Sequence, residues 1–249
     1  FRGSARAADS SAPAARAEPR NGELVQQAFV ACLMAGRPEA DVLARILPDN
    51  PIARLRVANL EAKAGNWDTA VKLFQSLPNQ GPLQIVQPLL LAWARQGAGQ
   101  PEAAIATLTS IPDIPQLRGI FALHTALIAE LSGRGAEAAA FYGFAAADTR
   151  DANIRMAEIL ASWHARSGRP DDARQTLAEL AAQSVEASIA LPGLLNAMDR
   201  PAVAKATDGL AEAYLAFGAS IRAAGTQDLA LMVLRLAIDM RPDLAAARI

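Results

Sequence analysis

The sequence predicts an all-α protein, a right-handed α-α superhelical solenoid of helix pairs with one inserted segment. Three observations predict it. The 249-residue chain is 52% apolar but only 5% aromatic, and much of its apolar share is alanine, the best helix former, rather than the β-branched and aromatic residues that strands favour. A ten-residue pattern also recurs, in which glycine is followed five residues later by alanine and four after that by a large apolar residue. It stands at "GNWDTAVKLF" (Gly65–Phe74), "GQPEAAIATL" (Gly99–Leu108), "GRGAEAAAFY" (Gly133–Tyr142), "GRPDDARQTL" (Gly168–Leu177) and "GTQDLALMVL" (Gly225–Leu234). Finally, these glycines are spaced by 34, 34 and 35 residues and then by 57, one further period plus an insertion of 23. An interval of 34 is the length of a helix–turn–helix repeat unit.

Each position of the pattern has a physical reason. Glycine is expected in the turn between two antiparallel helices, where a residue without Cβ tolerates positive φ and close approach. Pro and acidic residues just after it suit a helix start, proline at the first helical position and carboxylates against the positive helix end. Ala70, Ala104, Ala138, Ala173 and Ala230 fall where the second helix of a pair crosses the first closely. Phe74, Leu108, Tyr142, Leu177 and Leu234, one turn later, are expected to fill the space against the next pair. A weaker copy, "AGRPEADVLARIL", begins 29 residues before Gly65.

Toward the N-terminus, "EPRNGELVQQAF" fits the same register, with Pro19 closing an earlier unit and Gly22 opening a helix that runs to about Ala35. The solenoid is assigned to 18–249. Residues 1–17 read either as the remnant of an upstream repeat or, given Pro13 and the serines around it, as disordered. The insertion covers about 188–210. Pro192-Gly193 and Arg200-Pro201 are expected to break helical continuity there, yet Ile189, Leu191, Leu194, Leu195 and Met198 are too apolar for a solvated loop. A short helix or extended segment lying on the array is expected, then an N-cap near Thr207 or Asp208, with the last repeat at 211–244.

In that last repeat Tyr214, Phe217, Gly218, Ile221, Ala230, Leu234, Ala237 and Pro242 fall in order on the consensus of the tetratricopeptide (TPR) repeat, which the chain resembles. Arg54, Pro88 and Thr125 depart from that consensus in other units. Stretches such as "LVQQAFVACLMAGRPEA", "QPLLLAWARQGAG" and "GIFALHTALIAELSGR" are similar to a group of bacterial TPR proteins of mostly unassigned function. Relatives of that kind often carry a secretory leader, so the resemblance implies the bacterial periplasm or cell envelope. Phe1 and the apolar helical pattern "DLAAARI" at the other end read as the limits of a piece of a longer chain.

Composition excludes several classes. A formal net charge of −1 and interspersed signs give no basic footprint for nucleic acid. No apolar run reaches the roughly 18 residues of a membrane span. Cys32 is the only cysteine, so neither an internal disulfide nor a cysteine zinc site is expected. His124 and His164 fall within helical stretches as structural residues, and the chain holds no nucleophile elbow, dinucleotide fingerprint or P-loop. No enzyme activity, metal or cofactor is expected.

Binding is the function that remains. First helices of stacked TPR units line a continuous concave surface, which here places Gln26 in the first unit and Asn59 and Lys63 in the second. Leu89, Trp93 and Gln96 follow, then Leu127 and Glu130 beside Leu123, and then Arg155, Glu158 and Arg166. Leu55 stands where a carboxylate-gripping TPR clamp would carry a basic residue, so that clamp is not expected. Trp93 is the sharpest anchor candidate, since buried aromatics dominate interface energetics. The expected function is a non-enzymatic scaffold holding a protein or peptide partner in this groove, with an oligomer compatible with it. The alternative is a cell-envelope assembly or transport accessory holding an apolar small molecule such as a lipid near Leu89, Trp93, Leu123 and Leu127.

Overall fold

Five glycines end five helices in the same way. Gly36, Gly65, Gly99, Gly133 and Gly168 all have φ between 69° and 84°, the left-handed region open to a residue without Cβ. The N–H of the residue after each glycine donates to the carbonyl five residues back: Arg37 to Cys32 (2.8 Å), Asn66 to Glu61, Gln100 to Arg95, Arg134 to Ala129 and Arg169 to His164 (each 2.9 Å). This is the Schellman closure, which satisfies carbonyls that a helix end leaves without partners. It explains why the interval is marked by glycine. Gly225, expected to do the same, lies outside the described residues.

The structure is a computed structural model and describes residues 2–78, 80–111, 114–147, 154–222 and 226–248. Among these, every regular element is helical: α1 (Arg2–Ala17), α2 (Gly22–Ala35), α3 (Glu39–Arg45), α4 (Pro51–Lys63), α5 (Trp67–Gln75), α6 (Leu83–Gly97), α7 (Pro101–Thr109), α8 (Arg118–Leu131), α9 (Gly135–Ala147), α10 (Ile154–Arg166), α11 (Pro170–Gln183), α12 (Val185–Ala197), α13 (Ala206–Arg222) and α14 (Gln227–Met240), with short 3-10 turns at Pro115–Leu117 and Ala245–Arg248. No described helix is long and apolar enough to cross a membrane.

Helix starts follow from local chemistry. The Asn21 side chain accepts from Leu24 N at the start of α2, and Asn50 Oδ1 accepts from Ile52 N and Ala53 N at the start of α4, each capping an otherwise unpaired donor. Pro51, Pro101 and Pro170 open α4, α7 and α11, where the missing N–H costs nothing.

The chain divides into two compact units, one formed by Phe1–Ser110 with Lys205–Ile249 and the other by Ile111–Ala204. In the first, consecutive helices pack on one another from α1 through α7. The expected small residues occupy the crossings: Ala70 and Ala104 are fully buried, as are Ala138 and Ala173 in the second unit. Phe74, Leu108, Tyr142 and Leu177 are buried one turn later. Leu234 is only half-buried. It packs on Gly218 of the preceding helix, where a Cβ would come within 2.9 Å of it. In the second unit α8 packs on α9, α10 on α11 and α11 on α12.

Of the two readings of 1–17, residues 2–17 take the helical one: α1 packs on α2, continues through Pro13 and buries Ala8, Ala12 and Ala15. Two other local expectations change. Helix α12 begins at Val185, earlier than the inserted segment was placed, and runs through Pro192-Gly193 without a break. Its inward residues Leu191, Leu194, Leu195 and Met198 pack on a core of Ala161, Ala173 and Leu177. That burial outweighs the hydrogen bond lost at proline, whose ring stays exposed. Helix α13 starts at Ala206, so Thr207 and Asp208 lie inside it rather than at its cap. Asp208 instead accepts from Lys205 N at 3.2 Å, reaching back to the helix start.

The largest difference concerns the last pair. An array built strictly in chain order would stack it beyond the insertion. The α13–α14 hairpin instead belongs to the first unit, where α13 packs on α6 and α14 on α2 and α4.

Ala230 is 2% exposed at the crossing of α13 and α14. Ala230→Leu is expected to overpack this crossing and lower stability by about 1–3 kcal/mol, read as a fall in the urea midpoint. An unchanged midpoint would mean that the crossing is not tight.

Candidate functional site

Three candidate groove residues of the first unit, Asn59, Lys63 and Trp93, meet helices that the chain supplies itself. Trp93 of α6 is fully buried, and the backbone of α13 lies on its indole. A Cβ added at Gly209 would fall 2.1 Å from Trp93 Cδ2, so glycine is what lets the helix approach. Leu89, one turn earlier on α6, is 1% exposed. Gln96 lies half-buried one turn beyond the other side of Trp93.

Polar contacts fix the register of the hairpin. Tyr214 Oη, fully buried on α13, donates to Asn59 Oδ1 on α4 at 2.9 Å. Burial pushes the Tyr214 phenol well above its ordinary value, while the hydrogen bond to Asn59 and the nearby Arg56 charge pull less strongly the other way. The phenol therefore stays a donor. Lys63 Nζ donates to the Asp239 carbonyl in the last turn of α14 at 3.1 Å, a cation placed at the negative helix end.

A group of charges, none of them singled out by the sequence, closes the same seam. Arg56 on α4 pairs with Asp239 on α14 and, at 2.6 Å, with Asp41 on α3. Asp239 also receives Arg235 at 2.9 Å. The Arg235 guanidinium rests on Gly36 at the end of α2, where a Cβ would meet Nη2 at 2.0 Å. Two buried donors at the seam, Asn59 Nδ2 and Arg235 Nε, have no hydrogen-bond partner. Gln26 stays exposed. With Ala7, Glu23, Gln27, Val30 and Met34 it lines an open groove between α1 and α2 of about 960 Å³.

In the second unit the candidate charges are held in a network. Glu130 on α8 accepts from Tyr142 Oη on α9 at 2.6 Å and from Arg166 on α10. Burial, then the Glu130 charge, push the Tyr142 phenol far above its ordinary value, so it too remains a donor. Arg166 Nε donates to Ser162 Oγ, which donates in turn to the Arg200 carbonyl at 2.5 Å. The Tyr142 ring stacks on Trp163 at 4.7 Å, and the Arg169 guanidinium covers Trp163 at 4.4 Å. Arg155 pairs with Glu158 one turn along α10 at 2.7 Å. Leu127 is 2% exposed. Glu130 and Arg166 tie three helices together, while the Arg155–Glu158 pair runs along α10.

The His164 ring packs beside Trp163, with centroids 4.8 Å apart. His124 is 1% exposed, and burial lowers its pKa to about 3. His164 is lowered by burial and by the Arg169 charge, with Asp172 opposing. Burial raises the Cys32 thiol. Among the described residues no three His, Cys, Asp or Glu side chains gather at metal-binding distance.

No family model matches the chain, and no curated protein is similar to it at a significant level.

Burial beneath α13 makes the Trp93 indole part of the core of the first unit. Trp93→Ala should lower stability by about 3–5 kcal/mol, as for other buried aromatics, read from urea unfolding. A wild-type midpoint would place the indole outside the core. His124 gives a pH prediction. Its folded pKa, about 3, lies below the unfolded value of about 6.5, so the unfolded chain binds the proton first. The stability contribution is complete above pH ~6.5 and is lost as pH falls toward ~3. His124→Gln should reduce the difference in urea midpoint between about pH 7 and pH 4, leaving the smaller slope from His164. An unchanged difference would mean that His124 is solvated.

Proposed function

We propose that the chain is a non-enzymatic TPR-like scaffold, a helical solenoid whose first helices mediate protein–protein contact by holding helical segments of a protein or peptide. The recurring Schellman turn at the 34-residue interval and the unbroken packing of α1 through α7 support the repeat reading. One observation carries the functional part. The faces of α2, α4 and α6, where partner contacts are expected, carry a helix pair with matched shape and directed hydrogen bonds. Binding of this kind depends on a few anchors, an indole under a glycine, a buried hydrogen bond and an exposed one, rather than on total area.

The apolar small-molecule alternative needs Leu89 and Trp93 to line an open cavity. Both are packed beneath the chain's own helices, and no other observation favours it. The α1–α2 groove around Gln26 is a part of the expected binding surface that stays open, and its mixed polar and apolar lining suits a peptide.

A photoreactive amino acid at Gln26 tests this reading. Irradiation in the native host extract should yield a protein conjugate, reduced by at least about tenfold when Val30→Glu is introduced at the groove floor; a loss of roughly 1.4 kcal/mol corresponds to that factor. Recovery of lipid conjugates alone would support the alternative and remove the scaffold reading.

A further inference from the structure

We propose that the face formed by α2, α4 and α6 is also a docking surface for the α13–α14 hairpin of a second copy of this chain, so that two copies exchange hairpins reciprocally. The proposal rests on the reading of this face as one that holds helices.

The chemistry of the face selects its occupant. A fitting helix pair must place a residue without a side chain over Trp93, a phenol at Asn59, a carboxylate at Arg56 and a helix-end carbonyl at Lys63. Gly209, Tyr214 and Asp239 meet those demands together, and a second copy carries the same three at the same spacing. Charge complementarity is local and balanced, with Arg56 and Arg235 facing Asp41 and Asp239.

The connection explains why exchange competes with self-closure. The chain leaves the first unit at Ser110 and returns at Lys205, and everything between forms its own compact unit. In the chain the hairpin is joined to α1–α7 only through that unit, so self-closure is favoured over exchange by an effective concentration that a high concentration of chains can match. The contacts made with a second copy are the same contacts.

Charge reversal on full chains tests exchange directly. Arg56→Asp alone sets three acids against Arg235, and Asp239→Arg alone sets three guanidinium groups against Asp41, whether a hairpin closes on its own chain or on an identical copy. When the two variants are mixed, exchange restores two acids and two bases at both seams. Light scattering after size-exclusion chromatography should show each variant at the mass of one chain. The co-refolded mixture should move to twice that mass, one chain of each kind, and the double variant should return to one chain. A mixture that stays at single-chain mass, or single variants that dimerise as fully as the mixture, would overturn the proposal.

If either variant fails to fold, wild-type chains decide the matter. Isotope-labelled and unlabelled protein, co-refolded at a chain concentration near the millimolar effective range of a tethered segment, should give mixed dimers by native mass spectrometry. Their absence would overturn exchange. Hydrogen exchange on the wild type separates this failure from that of the underlying reading. Protected α6 amides without exchange leave the helix-holding face standing, whereas unprotected α6 amides remove both.

Discussion

A helix can lie flat on an indole only where it carries no side chain, and the first unit is organised around that contact. Gly209 brings the backbone of α13 onto Trp93. With that approach made, Tyr214 reaches Asn59, and the following helix brings Asp239 within reach of Arg56 and Lys63. Any side chain at position 209 would lift the helix and lengthen all of these contacts together. The buried polar pair then sets register, since a displaced hairpin would leave the Tyr214 hydroxyl and the Asn59 carbonyl unpaired in a dry environment, at a cost of about 1–3 kcal/mol each.

The second unit is held by a different device. Glu130 receives a phenol from one neighbouring helix and a guanidinium from another, while Tyr142, Trp163 and Arg169 stack beside it. Removing one member of such a network leaves a charge or hydroxyl without its partner, so its residues act together rather than singly. Surface charges such as Arg174 and Asp171, which pair within one exposed turn, have no comparable consequence.

How much of this was legible follows from the range of each signal. The turns were legible because only glycine closes a helix with positive φ cheaply, and that requirement is local. The crossings were legible for the same reason: Ala70, Ala104, Ala138 and Ala173 are small because two helix axes meet there, within a few residues of the turn. Helix α12 was misread because Pro192-Gly193 looks like a break locally, while the apolar face that carries the helix through it is satisfied by α10 and α11. The site was legible only in part. Asn59, Lys63, Leu89 and Trp93 were picked out as one surface for a partner; Asn59, Lys63 and Trp93 contact the chain's own α13–α14. What covers them was not readable, because Tyr214 and Gly218 serve the packing of a hairpin wherever it docks. Gly209 and Asp239 carried no pattern pointing to α4 or α6, since their partners lie more than one hundred residues away in sequence.

The return of the last pair onto the first unit is measured most directly by a double-mutant cycle between Asn59 and Tyr214, which lie 155 residues apart in the chain. Asn59→Ala, Tyr214→Phe and the double variant, compared by urea unfolding, should give a coupling energy of about 0.5–3 kcal/mol. Purely additive effects would mean that the two side chains do not meet, and that the hairpin does not lie on α4 and α6.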